Sequence, residues 1–372
     1  MKIAFLCKRQ YMSKDVILDK YARLYEMPNQ LALFGHVVDC YCLSYQNHGD
    51  GFWNESDEFR QLKWYSKSYK GWKKNQIWSY PFTLLQKLKL DKPDVILAAS
   101  DIPHIILGAW VAKKLNIPFI VDLYDNFEAY GQAKIPFIKT WFHRALDHAQ
   151  LIVTTSYSLA TKIKTEHPHL QHILPMPSVI NKNLFKTGDK LQARAYLNLP
   201  LDKKLIGTAG GLTQMKGIGD LFEAWEIIKK TEENVYLVLA GPTEKGTKLP
   251  DDDRVIYLGL LSHDNIVYLF QALDVGVLCI PDDLFGRYCF PQKAYEMMAT
   301  NLPIVSTAIG DMAHLLEKSP QMLYVAKNSE ELAFKIINQS KQGDVPSIEI
   351  LDWRLSIAKI NNYLIHLKYM KS

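Results

Sequence analysis

A glycine-rich turn follows a short apolar run in the second half of the chain. The run Lys204–Ala209 has the composition of a strand and leads into residues 210–217, GGLTQMKG. Glycine lets backbone amides approach a phosphate closely, and a helix that begins near Gly217 would point its positive end at the same place. Lys216 adds a compact positive charge. Because Lys216 precedes the last glycine, the turn is not a Walker loop, and a plain turn remains an alternative to phosphate binding.

A second candidate segment, residues 285–299, runs from a polar loop into a helix that carries Glu296. An acidic residue near the start of a helix complements the helix dipole. Alternatively, a carboxylate at this position accepts hydrogen bonds from both hydroxyls of a ribose. Free amides at Phe290 and Gln292, with Lys293 and Arg287 alongside, would suit the diphosphate of a sugar nucleotide. The two segments together favour a nucleotide-binding half.

Short β-rich runs alternate with helical patterns along the whole chain, which is typical of parallel βα units. The predicted strands are 2–6, 37–43, 94–98, 119–123, 151–155 and 172–174, then 204–209, 236–240, 255–258, 275–280 and 304–306. Between them we predict helices, for example over 18–34, 102–115, 136–148 and 217–230. Two successive doubly wound halves are therefore expected, with ligands at the carboxyl ends of the strands and the cleft between the halves as the default site.

The length and composition are those of a globular protein of two domains. The chain has 372 residues, of which 48% are hydrophobic and 22% charged, so it is able to bury sizeable cores. The longest apolar stretch, 95–115, is interrupted by Asp101, Pro103 and His104, which excludes a membrane-spanning helix. The apolar run 3–7 is too short for the core of a signal peptide. Five scattered cysteines without paired metal-ligand spacing favour a reduced, cytoplasmic compartment.

The net charge of +5 is mild for this length, so no nucleic-acid partner is expected. Between Trp53 and Trp78, however, four of the eight tryptophans alternate with arginine and lysine. This pattern suits a peripheral contact with an anionic membrane, on the inner face of the cell membrane. A loop and an amphipathic helix that pack their aromatic side chains inward would explain the segment equally well.

In the order of these segments, the chain resembles the family-4-like retaining glycosyltransferases along nearly its whole length. The resemblance rests on the glycine turn with Lys216, residues 237–242 (LVLAGP), 257–260 (YLGL), the segment from Phe290 to Glu296, and 301–305 (NLPIV). Residues 177–180 (PSVI) with Phe185 look like the interdomain segment of the family. Single pieces have low specificity, whereas their order and spacing together are specific.

The resemblance implies an α/β fold of two Rossmann-like doubly wound domains that face each other across a cleft. We expect an acceptor-binding domain over 1–176, a donor-binding domain over 177–352, and a helix over 353–372 that crosses back to the first domain. The implied function is sugar transfer, with retention and without an obligatory metal or other cofactor, from a UDP- or GDP-sugar to a glycan or lipid-linked acceptor. Two alternatives are a nucleotide-sugar epimerase and an inactive subunit that binds a sugar nucleotide.

The family's roles are carried over to matching positions. Lys216 would hold the diphosphate and stabilise it during catalysis, Glu296 the ribose, and the loop 258–260 the base. The predicted donor-binding residues are Gly210, Gly211, Lys216, Leu260, Arg287, Tyr288, Phe290, Gln292, Lys293 and Glu296. Two departures stand out: Tyr288 occupies a position that is often acidic in the family, and Gly211 one that is often arginine. Arg287 is the predicted replacement for the missing charge.

In the first half, the predicted strand 119–123 is followed by residues that resemble the acceptor side of the family. The segment 121–128 reads VDLYDNFE, in which Asp125 matches the family's aspartate and Tyr124 replaces its usual histidine. The acceptor-side candidates are Asp101, Asp122, Asp125 and Asn126. Asp125 either orients or deprotonates an acceptor hydroxyl as a catalytic residue, or caps the next helix. Both interpretations stay open.

Two further groups of residues, three histidines and two cysteines, are not predicted to form a metal or redox site. His167, His169 and His172 lie close together, but a solvated turn around Pro168 explains them better than a metal site does. Cys40 and Cys42 alternate on one predicted strand and are expected to be buried small hydrophobic residues rather than a redox pair.

Overall fold

The structure is a computed structural model, and it describes residues 1–11, 14–46, 48–69, 74–244, 246–346, 349 and 351–369, with only the backbone of 74, 75 and 77. The chain forms two compact units. The first comprises Met1–Val179 together with Leu351–Ser372, and the second comprises Ile180–Ile350. Each unit is built around its own parallel sheet.

The first unit contains an eight-stranded sheet with the order β10-β9-β8-β7-β1-β4-β6-β5, in which only β5 runs antiparallel to its neighbour. Its strands are β1 (Lys2–Lys8), β4 (Val37–Ser44), β5 (Gly51–Asn54), β6 (Gln61–Ser68), β7 (Val95–Ala99), β8 (Phe119–Leu123), β9 (Leu151–Thr154) and β10 (Ile173–Pro175). The short hairpin β2 (Gln10–Tyr11) and β3 (Lys14–Asp15) follows β1. The helices are α1 (Ala22–Leu33), α2 (Lys74–Asp91), α3 (Ile102–Leu115), α4 (Ile138–Leu146) and α5 (Tyr157–Glu166).

Continuous burial explains why the central strands form. Every residue of β7 and of β8 is buried, as expected for strands that are covered by helices on both faces. Local signals fix the helix that joins them. The Asp101 carboxylate caps α3 by accepting a hydrogen bond from the His104 amide at 3.0 Å, and Asn116 ends the helix in the left-handed conformation. The βα alternation read from the sequence therefore has a direct physical basis.

The second unit has a six-stranded, wholly parallel sheet with the order β13-β12-β11-β14-β15-β16. Its strands are β11 (Lys204–Ala209), β12 (Val235–Ala240), β13 (Val255–Tyr257), β14 (Val275–Leu278), β15 (Ile304–Thr307) and β16 (Leu323–Tyr324). Its helices are α6 (Lys190–Tyr196), α7 (Ile218–Thr231), α8 (His263–Ala272), α9 (Gln292–Ala299), α10 (Gly310–Leu315) and α11 (Ser329–Gln342). This order reverses between β11 and β14, and sheets of this kind bind ligands at the carboxyl ends of the strands at that point.

The last helix, α12 (Trp353–Tyr369), belongs to the first unit. Ile357, Ile360 and Leu364 lie in the same hydrophobic core as the first strands, and Asn361 Oδ1 accepts a hydrogen bond from His36 Nε2 at 2.9 Å. The resemblance implied this return of the chain. Among the described residues, no helix combines the length and the apolar composition needed to cross a membrane.

The segment 53–78 forms strands and the start of a helix, whereas one of its two interpretations from the sequence is a loop and an amphipathic helix. Its described part contains β5, β6 and the start of α2, and Trp64 is fully buried with its ring stacked on Tyr25 at 5.8 Å. Trp53 is half-buried beneath the Arg9 guanidinium, whereas Trp78 is exposed. Residues 70–73, which carry part of the predicted basic pattern, lie outside the described residues. Alternation along β6 thus accounts for the buried tryptophan.

Candidate active site

The glycine turn lies at the carboxyl end of β11, where the strand order of the second unit reverses. Gly210 has φ +109° and its amide donates to the Ala240 carbonyl at 2.9 Å. Gly241, at the end of β12, has φ +128°, and a Cβ there would come within 2.0 Å of the Gly210 carbonyl oxygen. Both backbone conformations favour glycine, and the close approach leaves no room for a side chain. The tight contact fixes the shape of the turn.

Lys216 follows in a single 3₁₀ turn immediately before α7. Gly217 has φ +77°, and a Cβ on it would lie 2.8 Å from the Cys279 carbonyl oxygen just beyond β14. The exposed Lys216 side chain places its Nζ 3.9 Å from the centre of the Phe285 ring, a cation–π contact. The start of α7 and the Lys216 ammonium therefore lie together beside the glycine turn, as the sequence predicts.

Lys293 approaches the same turn from α9. Its Nζ lies 2.9 Å from the point that a Cβ on Gly210 would occupy, so the absence of a side chain at Gly210 makes room for this ammonium. Burial lowers the pKa of Lys293, and the nearby Lys216 adds to that effect. Two lysines therefore flank the turn. The exposed Arg287 is different, because its Nε already donates to Asp282 and its charge is paired.

Glu296 is buried on α9 and has two partners. Its Oε1 accepts a hydrogen bond from Gln292 Nε2 at 2.9 Å and lies 3.7 Å from His263 Nε2 at the start of α8. The interaction with Glu296 raises the pKa of His263, although burial opposes it. Sequence reasoning missed His263, because only the packing of α8 beside α9 reveals it.

The loop 257–260 is tied to the glycine turn through Gly241. The Tyr257 hydroxyl donates to the Gly241 carbonyl at 2.8 Å, and the Gly241 amide donates to the Gly259 carbonyl at 2.7 Å. Leu260 projects from this loop and is 79% exposed. The loop, the turn and the two lysines consequently form one connected structure at the edge of the sheet.

The backbone amides of Phe290 and Gln292 are predicted to be free, but the Gln292 amide has a hydrogen-bond partner. The Gln292 amide donates to the Phe290 carbonyl at 2.9 Å, which corrects the expectation for Gln292. The Phe290 ring packs on Tyr295 at 4.8 Å, and the Tyr288 amide donates to the Phe285 carbonyl at 3.2 Å. The segment is thus held largely by its own contacts.

In the first unit, Asp122 is the buried partner of Arg23. Both carboxylate oxygens accept from Arg23 Nε, at 3.0 and 3.1 Å, and Arg23 Nη1 donates to the Met176 carbonyl. Asp122 is 0% and Arg23 1% exposed. A carboxylate enclosed in this way joins β8 to α1 and to the segment after β10. Its position in the sequence places Asp122 among the acceptor-side candidates but does not reveal this ion pair.

Asp101, Asp125 and Asn126 lie in different surroundings. Asp101 is buried at the carboxyl end of β7 and its Oδ1 lies 2.6 Å from His104 Nδ1. Burial would raise the pKa of Asp101, but the contacts with His104 outweigh it and the net shift is downward. Asp125 is half-buried and accepts hydrogen bonds from the Tyr130 hydroxyl and, at 2.8 Å, from the Asn126 amide. The acceptor-side role of these residues stays a prediction.

Two family models match the chain. The model described as "Glycosyl transferase 4-like domain" matches residues 22–173, and the one described as "Glycosyl transferases group 1" matches residues 203–341. The first range falls within the first unit and the second within the second unit. Together the two models account for most of the chain.

Similar curated proteins are glycosyltransferases by name. The chain is 26% identical over 242 residues to the putative teichuronic acid biosynthesis glycosyltransferase TuaC of Bacillus subtilis, a match to 65% of this chain and 60% of that protein. It is 26% identical over 306 residues to the D-inositol 3-phosphate glycosyltransferase of Mycolicibacterium paratuberculosis, covering 79% of this chain and 58% of that protein. The chain thus aligns with about 60% of the length of these relatives.

Solved structures share the fold. Sucrose-phosphate synthase from Thermosynechococcus elongatus superposes with a TM-score of 0.70 at 16% identity and full coverage of both chains. Anabaena Alr3699/HepE in complex with UDP gives 0.71 at 17% identity, covering 98% of this chain and 100% of that one. These likenesses confirm the predicted fold class of two Rossmann-like doubly wound domains. A glycosyltransferase family model also matches each of the two units. The chain therefore belongs to the family-4-like glycosyltransferases.

Proposed function

We propose that the protein transfers a sugar, with retention, from a nucleotide-diphosphate sugar to a glycan or lipid-linked glycan acceptor. One observation carries the proposal: Lys216, Lys293 and the start of α7 surround the glycine turn, while the buried Glu296 lies on α9. The name of the TuaC relative, which refers to teichuronic acid biosynthesis, supports a cell-surface polysaccharide as the product. The similar structure of Alr3699/HepE, which was solved in complex with UDP, supports a uridine donor.

In this proposal the donor lies along the carboxyl edge of the second sheet. Its diphosphate occupies the turn at Gly210 and Gly211, between the ammonium groups of Lys216 and Lys293. Its ribose hydroxyls donate hydrogen bonds to the Glu296 carboxylate. Since Gln292 and His263 both contact Oε1, the other oxygen, Oε2, is the proposed acceptor. Its base contacts the loop 257–260, where Leu260 offers an exposed apolar side chain.

The chemistry that these residues supply is stabilisation of a leaving group. As the bond between the sugar and the diphosphate breaks, negative charge grows on the diphosphate and positive charge on the sugar carbon. Preorganised ammonium groups and helix-end amides stabilise that negative charge without reorganising. The acceptor hydroxyl oxygen then bonds to the sugar carbon from the face that the diphosphate leaves, which retains the configuration, and the hydroxyl proton passes to the departing diphosphate. Asp125 is the proposed residue that orients the acceptor.

A direct experiment separates this proposal from its alternatives. The protein is screened for a rise in melting temperature with UDP-, GDP-, ADP- and TDP-sugars, and the stabilising donor is then supplied in radiolabelled form with lipid-linked acceptors. Transfer of label, or slow hydrolysis of the donor, supports the proposal, and NMR of the product establishes retention. A changed sugar still attached to the nucleotide would identify an epimerase. Binding without either reaction would identify an inactive sugar-nucleotide-binding subunit.

Glu296 provides the first prediction. We expect Glu296→Ala to weaken donor binding by about 1–3 kcal/mol, the range for hydrogen bonds that involve a charged group, because the ribose loses its acceptor. Calorimetric titration with the stabilising nucleotide measures this loss. Glu223→Ala, an exposed glutamate on α7, is the matched control and should leave the affinity unchanged. Equal affinity of Glu296→Ala and wild-type protein would remove Glu296 from the ribose site.

The second prediction concerns which cation replaces the arginine that the family often has at the position of Gly211. We expect Lys293→Met to raise the Kd of the donor by about 10- to 100-fold, because a charged contact to the diphosphate is worth roughly 1.5–3 kcal/mol. Arg287→Met should change the Kd less than about twofold, since the Arg287 charge is exposed and already paired with Asp282. The opposite ranking of the two variants would show that Arg287 makes the contact.

The membrane contact predicted for the segment 53–78 stays a prediction, and the first unit offers a further candidate surface. Helices α2 and α4 expose aromatic side chains, and the Phe82 ring contacts Trp110 of α3 at 5.5 Å. We define the aromatic face as the exposed residues Phe137 and Trp141 with the exposed cations Lys134, Lys139 and Arg144, all within the segment 134–144. Exposed aromatic rings beside cations suit an anionic lipid surface, so we propose that the protein docks peripherally through this face.

Liposome co-sedimentation tests this third prediction. Wild-type protein should sediment with anionic vesicles at low salt and less so at high salt. The triple variant Lys134→Glu, Lys139→Glu, Arg144→Glu should lose this binding. The matched control places glutamate at three exposed lysines of the second unit, Lys182, Lys230 and Lys318, and should bind as wild type does. Wild-type protein that ignores anionic vesicles would overturn the membrane proposal while leaving sugar transfer untouched.

A further inference from the structure

The carboxyl-terminal ends of α4 and α5 bring together three groups that are able to bind a metal. Asp147 ends α4 and His167 ends α5. The Asp147 Oδ1 lies 2.6 Å from His167 Nδ1 and 3.1 Å from His169 Nε2. All three atoms lie within 4.8 Å of one another. His172, which the sequence groups with these histidines, instead packs its ring on Tyr363.

The backbone holds these groups in place. The His167 amide donates to the Ile163 carbonyl at 2.8 Å, and the Asp147 amide donates to the His143 carbonyl at 3.0 Å. The Leu170 amide donates back to the His167 carbonyl at 3.1 Å, which closes a turn around Pro168. His167 is only 4% exposed. A ligand set fixed by two helix ends and a closed turn costs little entropy to assemble.

A second layer stands behind His167. The other ring nitrogen of His167, Nε2, lies 2.9 Å from His143 Nδ1, and His143 Nε2 lies 3.2 Å from the Glu128 carboxylate. The two imidazole rings stack at 5.1 Å with an angle of 18° between their planes. Metal-binding histidines commonly hold their second nitrogen in a hydrogen bond that leads to a carboxylate, because this fixes the tautomer and the ring orientation.

We propose that Asp147, His167 and His169 bind a divalent transition-metal ion of the zinc type, with His143 and Glu128 as the supporting layer. Two imidazoles and one carboxylate form a ligand set suited to Zn²⁺. The three donor atoms already surround one point, and Zn²⁺ with bonds of about 2.0–2.2 Å would replace the hydrogen bonds that now link them. A fourth position would be filled by water, since Asp147 and His169 are partly exposed.

Electrostatics select this set over the neighbouring group of His143, Glu166 and His167, which also has donor atoms within 4.8 Å. The Lys162 ammonium lies 2.6 Å from both Glu128 and Glu166. That positive charge neutralises Glu166 and repels a divalent cation. Asp147, by contrast, contacts the two histidines and no lysine or arginine of the described residues. A divalent cation is therefore expected to bind at Nδ1 of His167 rather than at Nε2.

We expect the bound metal to link the ends of α4 and α5 and so to stabilise the fold, without taking part in sugar transfer. All proposed ligands and supporting residues belong to the first unit, whereas Lys216, Lys293 and Glu296 belong to the second. A metal that binds only the folded state stabilises it, and the gain increases with free metal concentration. The proposed metal site is independent of the proposed glycosyltransferase activity.

Calorimetric titration of tag-free protein with Zn²⁺ tests the site. Wild-type protein should bind one equivalent, and its melting temperature should rise with Zn²⁺ but not with Mg²⁺, which prefers oxygen ligands. His169→Ala, Asp147→Asn and His167→Ala should each weaken binding by about 100-fold or more, and His143→Gln by about 10- to 100-fold. His172→Ala, another imidazole of the same segment outside the ligand set, is the matched control and should bind as wild type does.

His169→Ala is the decisive variant, because the His169 side chain is 58% exposed and its loss should not impair folding. Circular dichroism confirms the fold of each variant before titration. Failure of wild-type protein to bind Zn²⁺, or binding that His169→Ala leaves unchanged, would overturn the proposal. In either case the contacts among Asp147, His167 and His169 would serve only as a hydrogen-bonded link.

Discussion

Replacing Lys216 with alanine is expected to lower kcat by about 10²–10³-fold, the cost of removing one preorganised stabilising group. The Lys216 ammonium lies beside the glycine turn and contacts the Phe285 ring, which limits its positions, and no carboxylate of the described residues pairs with it. Because the diphosphate gains negative charge as the glycosidic bond breaks, the ammonium matters more in the transition state than in the ground state. The donor KM should therefore rise less than kcat falls.

Steady-state kinetics with the stabilising donor measure both constants. Lys216→Arg should recover little activity, because a planar guanidinium does not replace a compact ammonium in a tight turn. Lys230→Ala, which removes an exposed lysine near the far end of the same helix α7, is the control and should leave both constants unchanged. A variant whose KM rises while kcat stays constant would make Lys216 an anchor for the bound donor and shift the catalytic role to Lys293.

Replacing Asp122 with asparagine is expected to lower the free energy of unfolding by about 3–5 kcal/mol, because it leaves Arg23 charged, buried and without its partner. Arg23 and Asp122 form a buried charged pair in the first unit, and neither side chain reaches solvent. The Met176 carbonyl also accepts a hydrogen bond from Arg23. The loss should appear as a lower urea midpoint for the first unit, and as faster amide exchange in β8 and α1.

Two variants distinguish this structural role from a role in catalysis. The double variant Arg23→Met, Asp122→Asn should regain part of the lost stability, because no unpaired charge remains buried. Asp125→Asn, a half-buried carboxylate three residues further along, should change the unfolding free energy by less than about 1 kcal/mol. If Asp122→Asn retained wild-type stability but lost transfer, Asp122 would belong to the acceptor side, as the resemblance implies.

Much of this protein follows from local sequence patterns. The bounds predicted for β8 and β11 match the structure, because each strand is a run of mostly buried and mostly apolar residues. The glycine turn is recognisable from its glycines and Lys216, and the structure gives Gly210 and Gly217 the positive φ that glycine favours. Glu296 was found from its place on a helix that follows a proline-containing loop. In each case the residues that decide the structure are close in sequence.

Other features depended on contacts between distant parts of the chain. The strand β6 was missed because its mixed residues, polar on one face and buried on the other, become a strand only when β4 supplies hydrogen bonds. Lys293 was grouped with the donor site, but its position beside Gly210 depends on how α9 packs against the sheet. Asp122 was assigned by its neighbours in sequence, whereas its partner Arg23 lies 99 residues earlier.

Local sequence patterns are enough to predict the βα alternation, the fold of two Rossmann-like domains, and the places of the glycine turn and Glu296 along the chain. The contacts of His263 with Glu296, of Arg23 with Asp122 and of His167 with Asp147 become visible only when the chain is folded. The physical reason is that burial period, helix caps and glycine backbone angles are properties of a few consecutive residues. Ion pairs, pKa shifts and metal ligand sets arise between side chains, and packing alone brings those side chains together.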